Sequence, residues 1–522
     1  MASLPTTQPL WYQIDPDRPE RGWIPKTEHI IISPQKPENK VIREAWYAKN
    51  QLAYAPPSKK ATLTAQILTP IQVGGIRVTN EMTLPAQIGG YPCIPGSSLK
   101  GALLSWLRRQ HPTMPPEEQA FWQSLIEPNG QGWKPRAIRF ESTPLKNLEP
   151  YPLNPQQSWQ VLNNQEDRTR LAIQWQAGPQ EPPSTNPDKI AFQVNLRHSP
   201  PPQQKTWLTQ RLQETLLHQG IGRGKASGFG RLGKTSQGTW TIKLEGMKPA
   251  IQTRNLKDGI NGQYRWSPQV LRAHLRGWFT RIALSQMNQA NAINLTNQVF
   301  GGLGRPARLN LTSFRAYAGR TLGTNGQTSK TSDNNGYANI LRQDAEETWK
   351  IEALCNSDFI PLVDALLELS QRLGGMGPGW RRPPHSFRNG TVYRGSQFTT
   401  TTQNSHQSLP DLIASLQAQI QYLARQYHLP IAPPNPLPQG SIHSIWQSTN
   451  PDQWRDIVHG VCSSSAPDRP AWCGSSQTRP SGYTVRQHKG DQPQDNYCLI
   501  TLFEATIAPT LGRQGFTQIW PV

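Results

Sequence analysis

Apolar residues recur with helical spacing in segment 91–109, YPCIPGSSLKGALLSWLRR. Leu99, Leu103, Trp106 and Leu107 fall at i, i+4, i+7 and i+8, so the segment predicts a helix with one buried face. Pro and Gly precede two serines at its start, which is typical of the approach to a helix N-terminus.

Other segments of the first half alternate between apolar and polar residues or repeat with helical spacing. Segments 61–75 and 189–196 are predicted strands, and segment 206–218 is a predicted helix. This helix runs into a glycine-rich loop at 220–234, and the strand TWTIKLEGM, ending at Met247, is predicted to close the unit.

The second half repeats this pattern. VLRAHLRGWFTR aligns with SLKGALLSWLRR at an offset of 172 residues, with identical Leu, Leu, Trp and Arg positions. A second helix, 359–373, enters a second basic glycine segment, GGMGPGWRR. Three elements recurring in one order predict two homologous domains. The predicted organisation begins with an N-terminal extension, 1–60, and a first domain, 61–247. The second domain, 250–390, is predicted to be completed by a strand at 497–509. Between them, 391–496 is a predicted insertion with a low-complexity segment, a helix and a Trp/Pro-rich tract.

The charge balance narrows the choice of partner. The 522 residues include 54 Lys+Arg and 34 Asp+Glu, a formal net charge of +20 that is spread along the chain. Nucleic acid is the commonest partner of such a surface. No stretch approaches the 18 apolar residues of a membrane span, so we expect no membrane partner.

Cysteine use predicts the compartment. The five cysteines are an odd number without a C-x-x-C pair, and the N-terminus lacks the apolar core of a signal peptide. We therefore expect a cytoplasmic protein with free thiols. His459, Cys462 and Cys473 form a weak zinc candidate, because structural zinc sites need four ligands at tighter spacing.

The helix start at 97–100 is the first candidate phosphate site. Ser97 or Ser98 could cap the helix, and Lys100 places a cation in the first turn, where it opposes the helix dipole. A phosphate held between the lysine and the free N–H groups would explain that placement. The alternative is an exposed lysine that extends into water.

The glycine loop is the second candidate site. Its order, helix then loop then strand, is opposite to that of a dinucleotide-binding loop, and it lacks the P-loop pattern. Basic residues alternate with glycines, so the backbone could form an anion-binding nest, although a merely flexible turn is the alternative. The predicted nucleic-acid-binding residues of this loop are Gly222, Arg223, Gly224, Lys225 and Arg231. Those of the second half are Arg272, Arg276, Arg381 and Arg382.

The pattern I-P-G-S-S-L-K-G at 94–101, followed by a helix that enters G-x-G-R-x-x-x-G-F-G-R, resembles the RAMP superfamily, the repeat-associated subunits of CRISPR effector complexes. The resemblance covers roughly 61–247 and, more loosely, 250–385. It implies an α+β fold of two tandem ferredoxin-like (RRM-like) RAMP domains with a C-terminal insertion. It also implies a type III effector complex with guide RNA (crRNA), complementary target RNA and other type III CRISPR subunits as partners.

In backbone members of that family an aspartate in the loop after the first strand cuts target RNA. The corresponding loop here has Asn80 and Glu81 but no Asp, and the second repeat offers Asp258, which also belongs to a common Asp-Gly turn pair. The expected catalytic residues are therefore Asp258 first and Glu81 second, with Mg²⁺ as cofactor. The alternative function is a stand-alone endoribonuclease that processes guide precursors, with His274 as the matched-motif histidine.

Overall fold

The computed structural model describes 62–77, 82–88, 91–128, 132–135, 137–145, 148–153, 159–162, 172–178, 189–196, 201–234, 238–247, 251–254, 262–265, 267–302, 305–322, 344–354, 357–387, 392–401, 408–462, 470–473 and 482–521. The extension 1–60 and the carboxylates Glu81 and Asp258 lie outside these residues. The chain forms two compact units: the first is 1–153, 172–236 and 252–267, and the second is 154–171, 237–251 and 268–522.

Up to residue 234, the described residues form short strands and four α-helices. The strands are β1 Leu63–Gln66, β2 Ile76–Arg77, β3 Met82–Leu84, β4 Gln87–Ile88, β5 Tyr91–Ile94, β6 Ile138–Phe140, β7 Thr143–Pro144, β8 Leu148–Leu153, β9 Ala172–Ala177, β10 Lys189–Phe192 and β11 Val194–Leu196. The helices are α1 Gly96–Gln110, α2 Pro116–Leu125, α3 Trp159–Leu162 and α4 Pro202–Glu214.

The central pairing of the first unit joins strands that are distant in sequence. β1 pairs antiparallel with β10, β11 pairs antiparallel with β6, and Ile67 forms a bridge with Leu232 on the other side of β1. The spatial order is therefore the 232 segment, β1, β10–β11 and β6. Along the chain, α1 follows β1 and α4 follows β10–β11. The chain order is therefore strand β1, helix, strand β6, strand β10–β11, helix and the strand segment at 232.

The apolar stripe predicted for 91–109 is confirmed. Leu99, Leu103, Trp106 and Leu107 are all buried, and the leucines join one core with β1, β10 and α4. The helix forms here because its apolar positions repeat with the helical period and so bury together.

The rest of the chain, together with α3, forms the second unit, and it also contributes a hairpin that lies mostly in the first unit. The strands are β12 Trp240–Met247, β13 Ile251–Arg254, β14 Gly262–Arg265, β15 Asn310–Leu322, β16 Asp344–Leu354, β17 His385–Phe387, β18 Val392–Arg394, β19 Ser396–Thr400, β20 Ser444–Ser448, β21 Tyr483–His488, β22 Tyr497–Leu502 and β23 Thr517–Trp520. The helices are α5 Gln269–Ala283, α6 Gln289–Phe300, α7 Ile360–Leu373, α8 Leu409–Gln426 and α9 Ala508–Arg513.

The main sheet of the second unit has the order β15-β16-β12-β19, and all of its pairs are antiparallel. Helix α5 follows β12 and α7 follows β16, so this unit has the same chain order as the first. The class α+β is confirmed by this mixture of helices with separate antiparallel sheets.

Two strand assignments differ from the expectation. β12, expected to close the first domain, pairs with β16 and β19 and is the first strand of the second unit. The strand expected at 497–509 runs over Tyr497–Leu502 and pairs with β20 and β21 in a separate sheet, not with the main one. Alternating apolar residues identify a strand but not its partner, which long-range packing decides.

The C-terminal part of the second unit is folded. Helix α8 packs against α5 and α7, and β21-β22-β20-β23 form a four-stranded sheet with its own buried core. Cys462 and Cys473 form a disulfide with a Cα–Cα distance of 5.3 Å, which corrects the expectation of free thiols at these positions. Cys93 and Cys498 are buried and free. Within the described ranges, no helix has the length and apolar character to cross a membrane.

Candidate nucleic-acid interface

The start of α1 lies against the edge strand β6. A Cβ added at Gly96 would lie 2.1 Å from the carbonyl oxygen of Phe140, so only glycine allows this approach. The N–H of Gly96 donates to the Ser142 hydroxyl at 3.1 Å. The N-cap position is Pro95, with extended backbone, and no side chain caps the helix.

Ser97 and Ser98 are therefore not N-caps; they lie inside the first helical turn. Because Pro95 takes the cap position and Ser142 satisfies the first N–H, the serine hydroxyls are not needed for capping. Ser97 is exposed and faces an open groove.

This groove has a volume of about 650 Å³ and contains the first-turn lysine. It is lined by Gly96, Ser97, Lys100, Ile138, Arg139, Phe140, Asn195 and Leu196. We call it the helix-start groove. Lys100 and Arg139 are exposed, and Arg139 stands opposite Asn195 in the β6–β11 register. Arg139 also pairs with Glu141 at 2.6 Å.

The helix-start groove thus combines two cations, an amide and the positive end of a helix, which is the chemistry of an anion site. Sequence reasoning found Ser97 and Lys100 but missed Arg139 and Asn195. The signal that could have found them is the alternation of β6 and β11, whose central residues are exposed and paired.

The first glycine loop is held against the chain that continues β1. The N–H of Arg223 donates to Gln72 O at 3.0 Å, and that of Gly230 donates to Pro70 O at 2.9 Å. Gly222 has φ +93°, and a Cβ there would lie 2.1 Å from Gln72 O. The glycines therefore serve close backbone packing in a positive-φ turn, and the loop is not simply a flexible turn.

The cations of this loop divide into inner and outer residues. Arg231 has no exposed surface, and its guanidinium donates to His218 O at 2.5 Å and to Lys225 O at 3.0 Å. It therefore holds the loop from beneath and presents no face to a ligand. Arg223 is exposed and Lys225 is half-buried.

Lys225 has a basic neighbourhood. Its pKa is lowered by burial and by the nearby charges of Arg231 and Arg109. Arg109, at the end of α1, is exposed, stacks over Trp106 with its Cζ 5.6 Å from the ring centroid, and donates to Gln219. Cations that lower one another's pKa indicate a positive surface suited to a phosphate. Arg109 was not among the predicted RNA-binding residues.

The matched cations of the second unit lie differently. Arg272 donates to Phe300 O, and burial lowers its pKa to about 10. Arg276 is buried and donates to Gly301 O at 2.9 Å and to Asn297 Oδ1 at 2.8 Å. Both guanidiniums therefore satisfy the carbonyl end of α6, where a cation also complements the helix dipole.

The second glycine segment places Arg381 and Arg382 at partly exposed positions. Their carbonyl oxygens accept from Val485 N at 3.0 Å and from Ser396 N at 3.1 Å. The backbone of this segment is therefore fixed between β19 and β21.

His274 packs inside the second unit. Its ring lies 6.0 Å from that of Phe398, and the Trp278 indole donates to His274 Nε2 at 3.3 Å. Burial, with a contribution from Arg281, lowers the pKa of His274 to about 3. Within the described residues, no group of three or more His, Cys, Asp or Glu side chains could hold a metal ion.

Comparisons with solved structures find similarities of low sequence identity. No curated protein matches the chain. Cmr1 from Pyrococcus furiosus in its apo form matches at 11% identity over 54% of this chain and 98% of its own, with a TM-score of 0.29. A chain of the Type III-B Cmr-beta complex bound to cognate target RNA matches at 9% identity over 51% of this chain and 94% of its own, with a TM-score of 0.27. TM-scores of this size carry no argument about function.

The family model of the RAMP superfamily matches residues 64–233, about a third of the chain. That range begins in β1, includes α1, β6 and α4, and ends one residue before the end of the glycine loop. It thus contains both the helix-start groove and the loop cations. Residues 64–233 of this chain are therefore similar to the RAMP superfamily.

Proposed function

We propose that this protein is a guide-RNA-binding backbone subunit of a type III CRISPR ribonucleoprotein that takes part in target RNA recognition. The observation that carries the proposal is the helix-start groove, which lies inside the RAMP-matched range and exposes Lys100 and Arg139 beside a helix N-terminus. Other subunits of the complex and a complementary target RNA are the remaining partners of this proposal.

The proposed fold of both units is ferredoxin-like. Each unit follows the order strand, helix, strand, strand, helix, strand, which is that of the β-α-β-β-α-β motif. In each unit, with these strands numbered along the chain, the third strand lies between the first and the second and pairs with both. The fourth strand lies on the other side of the first. In the first unit the fourth strand is reduced to the bridge at Leu232. Four-stranded sheets of this kind are a common platform for single-stranded RNA.

Recognition in the first unit would be of the RNA backbone. The exposed cations sit on helix α1, the edge strand and the glycine loop, and they offer charge rather than a set of base-reading groups. Such contacts fix the path of a strand without reading its sequence, which leaves sequence specificity to base pairing in the assembly.

Charge reversal tests this proposal. Lys100→Glu combined with Arg223→Glu should weaken binding of guide RNA and reduce the slope of log K against log salt by roughly one unit for each lost phosphate contact. The matched control is Arg425→Glu with Arg513→Glu, which removes the same charge from exposed positions outside the groove and loop. Filter binding over a salt series measures both. Unchanged affinity in the folded double variant, or an equal loss in the control, would contradict the proposal.

Target RNA cleavage forms a separate part of the proposal. A loop carboxylate can recruit Mg²⁺, which takes only one or two protein carboxylates and keeps its waters. Asp258 is the first candidate and Glu81 the second. In the assembled complex, Asp258→Ala should remove one product band from a long complementary target while binding persists. An unaltered ladder would leave Asp258 as a turn residue and the chain as a binding subunit.

The alternative of a stand-alone endoribonuclease loses its best candidate residue. A general acid or base works best with a pKa near the working pH, whereas that of His274 is lowered to about 3 in a packed environment. Incubating the purified chain with repeat RNA and chelator separates the two functions. Metal-independent cutting would favour the alternative.

A further inference from the structure

A second pocket lies in the C-terminal part of the second unit, outside the RAMP-matched range. It is open and has a volume of about 500 Å³, which is within the usual range for small-ligand sites. It is lined by Gln371, Arg372, Leu409, Pro410, Gln447, His488, Tyr497, Leu499 and Ile519. We call it the sheet-face pocket.

The topology explains how these residues meet. Tyr497 is paired with His488, and Leu499 with Gln447, so all four lie on one face of the sheet. The opposite face carries the buried core that includes Val485 and Cys498. The end of α7 and the start of α8 form the walls of the pocket.

An aromatic stack forms part of this floor. The rings of His488 and Tyr497 lie 4.5 Å apart at an interplanar angle of 15°, and both side chains are partly exposed. Parallel rings on the face of an antiparallel sheet are what unpaired nucleobases stack on in RNA-binding sheets.

His488 keeps a fixed, neutral ring in the stack, and Gln371 offers donors to the edge of a base. His488 Nε2 lies 2.9 Å from Arg372 O, and because a carbonyl only accepts, Nε2 carries the proton. Burial, with the Arg486 charge, lowers the pKa of His488 to about 4, so the ring is neutral. Gln371 Oε1 accepts from Thr400 N at 2.6 Å, which leaves the amide N–H groups of Gln371 as donors.

The charges of the lining Arg372 and of the buried, non-lining Arg486 argue against an acidic peptide as the occupant. Arg372 pairs with Glu368 at 2.7 Å, and Arg486 donates to Gln397 and to Phe398 O, both at 3.2 Å. Both guanidiniums are thus already engaged, whereas the rings of His488 and Tyr497 are partly exposed in the pocket.

We propose that the sheet-face pocket binds one unpaired nucleobase of a single-stranded RNA. This goes beyond the proposed backbone contacts of the first unit, and it does not depend on them.

The test uses the full chain and 2-aminopurine, whose fluorescence is quenched by stacking. One arm titrates a short RNA with a single central 2-aminopurine, and the other titrates the free 2-aminopurine nucleotide. Tyr497→Leu should reduce the RNA affinity measured from the quenching by roughly 5- to 150-fold, which is the equivalent of losing one base–aromatic stack. Tyr497→Phe should keep the quench, and Tyr422→Leu, at an exposed tyrosine outside the pocket, is the matched control.

The outcomes separate this proposal from the first one. Loss of quenching in Tyr497→Leu, with unchanged circular dichroism and with quenching kept by Tyr497→Phe and Tyr422→Leu, supports the pocket. Equal quenching in Tyr497→Leu and Tyr422→Leu overturns it. Saturation by the free nucleotide without any response from the RNA would also overturn it, because the pocket would then serve a small ligand.

Discussion

The corresponding helices α1 and α5 carry the same Leu, Leu, Trp and Arg positions but use the final arginine in opposite ways. Arg109 is exposed beside Trp106 and the glycine loop. Arg281 is 3% exposed, its Cζ lies 3.5 Å from the Phe503 ring centroid, and it donates to Gly440 O at 2.8 Å. The difference arises because the C-terminal part of the chain covers α5.

This cover explains why the candidate RNA-binding cations concentrate in the first unit. Arg272 and Arg276 donate hydrogen bonds to the carbonyl end of α6, and Arg281 donates one to the C-terminal part of the chain that covers α5. Lys100 and Arg109, which match two of them, remain exposed. A repeated motif can therefore supply a surface in one copy and a core in the other.

Removing the two arginines should give the largest contrast. Arg281→Ala leaves a cavity and an unsatisfied Gly440 carbonyl, and should lower the free energy of unfolding by about 3 kcal/mol or more. Arg109→Ala should lower it by about 1 kcal/mol at most, because the side chain is solvated. Urea unfolding of both variants measures this. Equal losses would mean that the C-terminal cover does not set the difference.

A pair of glycines in α1 tests how the helix start is seated. A Cβ at Gly96 would clash with Phe140 O, so Gly96→Ala should cost about 2 kcal/mol and weaken RNA binding at the groove. Gly101→Ala meets nothing within 4 Å and should stabilise the helix by about 0.5–1 kcal/mol. Thermal unfolding and filter binding of the two variants are the measurements. A harmless Gly96→Ala would show that β6 does not fix the helix start.

Lowering the pH should reduce the stability of the second unit more than that of the first. The effect of each histidine should be smaller than the effects of the substitutions above. Burial lowers the pKa of His274 to about 3 and those of His385 and His488 to about 4. The unfolded chain binds protons near pH 6.5 and the folded unit does not, so stability should fall as the pH drops from about 6.5 towards 4. At pH 6 the loss should be under about 1 kcal/mol per histidine.

Hydrogen exchange at pH 7 and pH 5 can assign this loss to one unit. Protection should fall in α5 and α7 while α1 and α4 change less. His488→Gln should flatten part of the pH dependence. A uniform loss of protection in both units would contradict the assignment.

The sequence alone determined the features that depend on local order. The helical period buried Leu99, Leu103 and Leu107 as predicted, and helices α1 and α5 form at the two aligned segments. The glycine loop was also located, since turns with positive φ strongly favour glycine. These properties follow from residues within a few turns of one another.

Only the tertiary structure decided which partner each element and each charge would take. Nothing local in Trp240–Met247 says that it pairs with β16 and β19, because a strand's alternation specifies a face and not a neighbour. The environment of a cationic side chain is likewise decided by residues that are distant in sequence. Lys100 is exposed, whereas Arg272 donates to the buried carbonyl of Phe300. A flexible, charged side chain goes where desolvation is compensated, and that compensation comes from residues far away in the sequence.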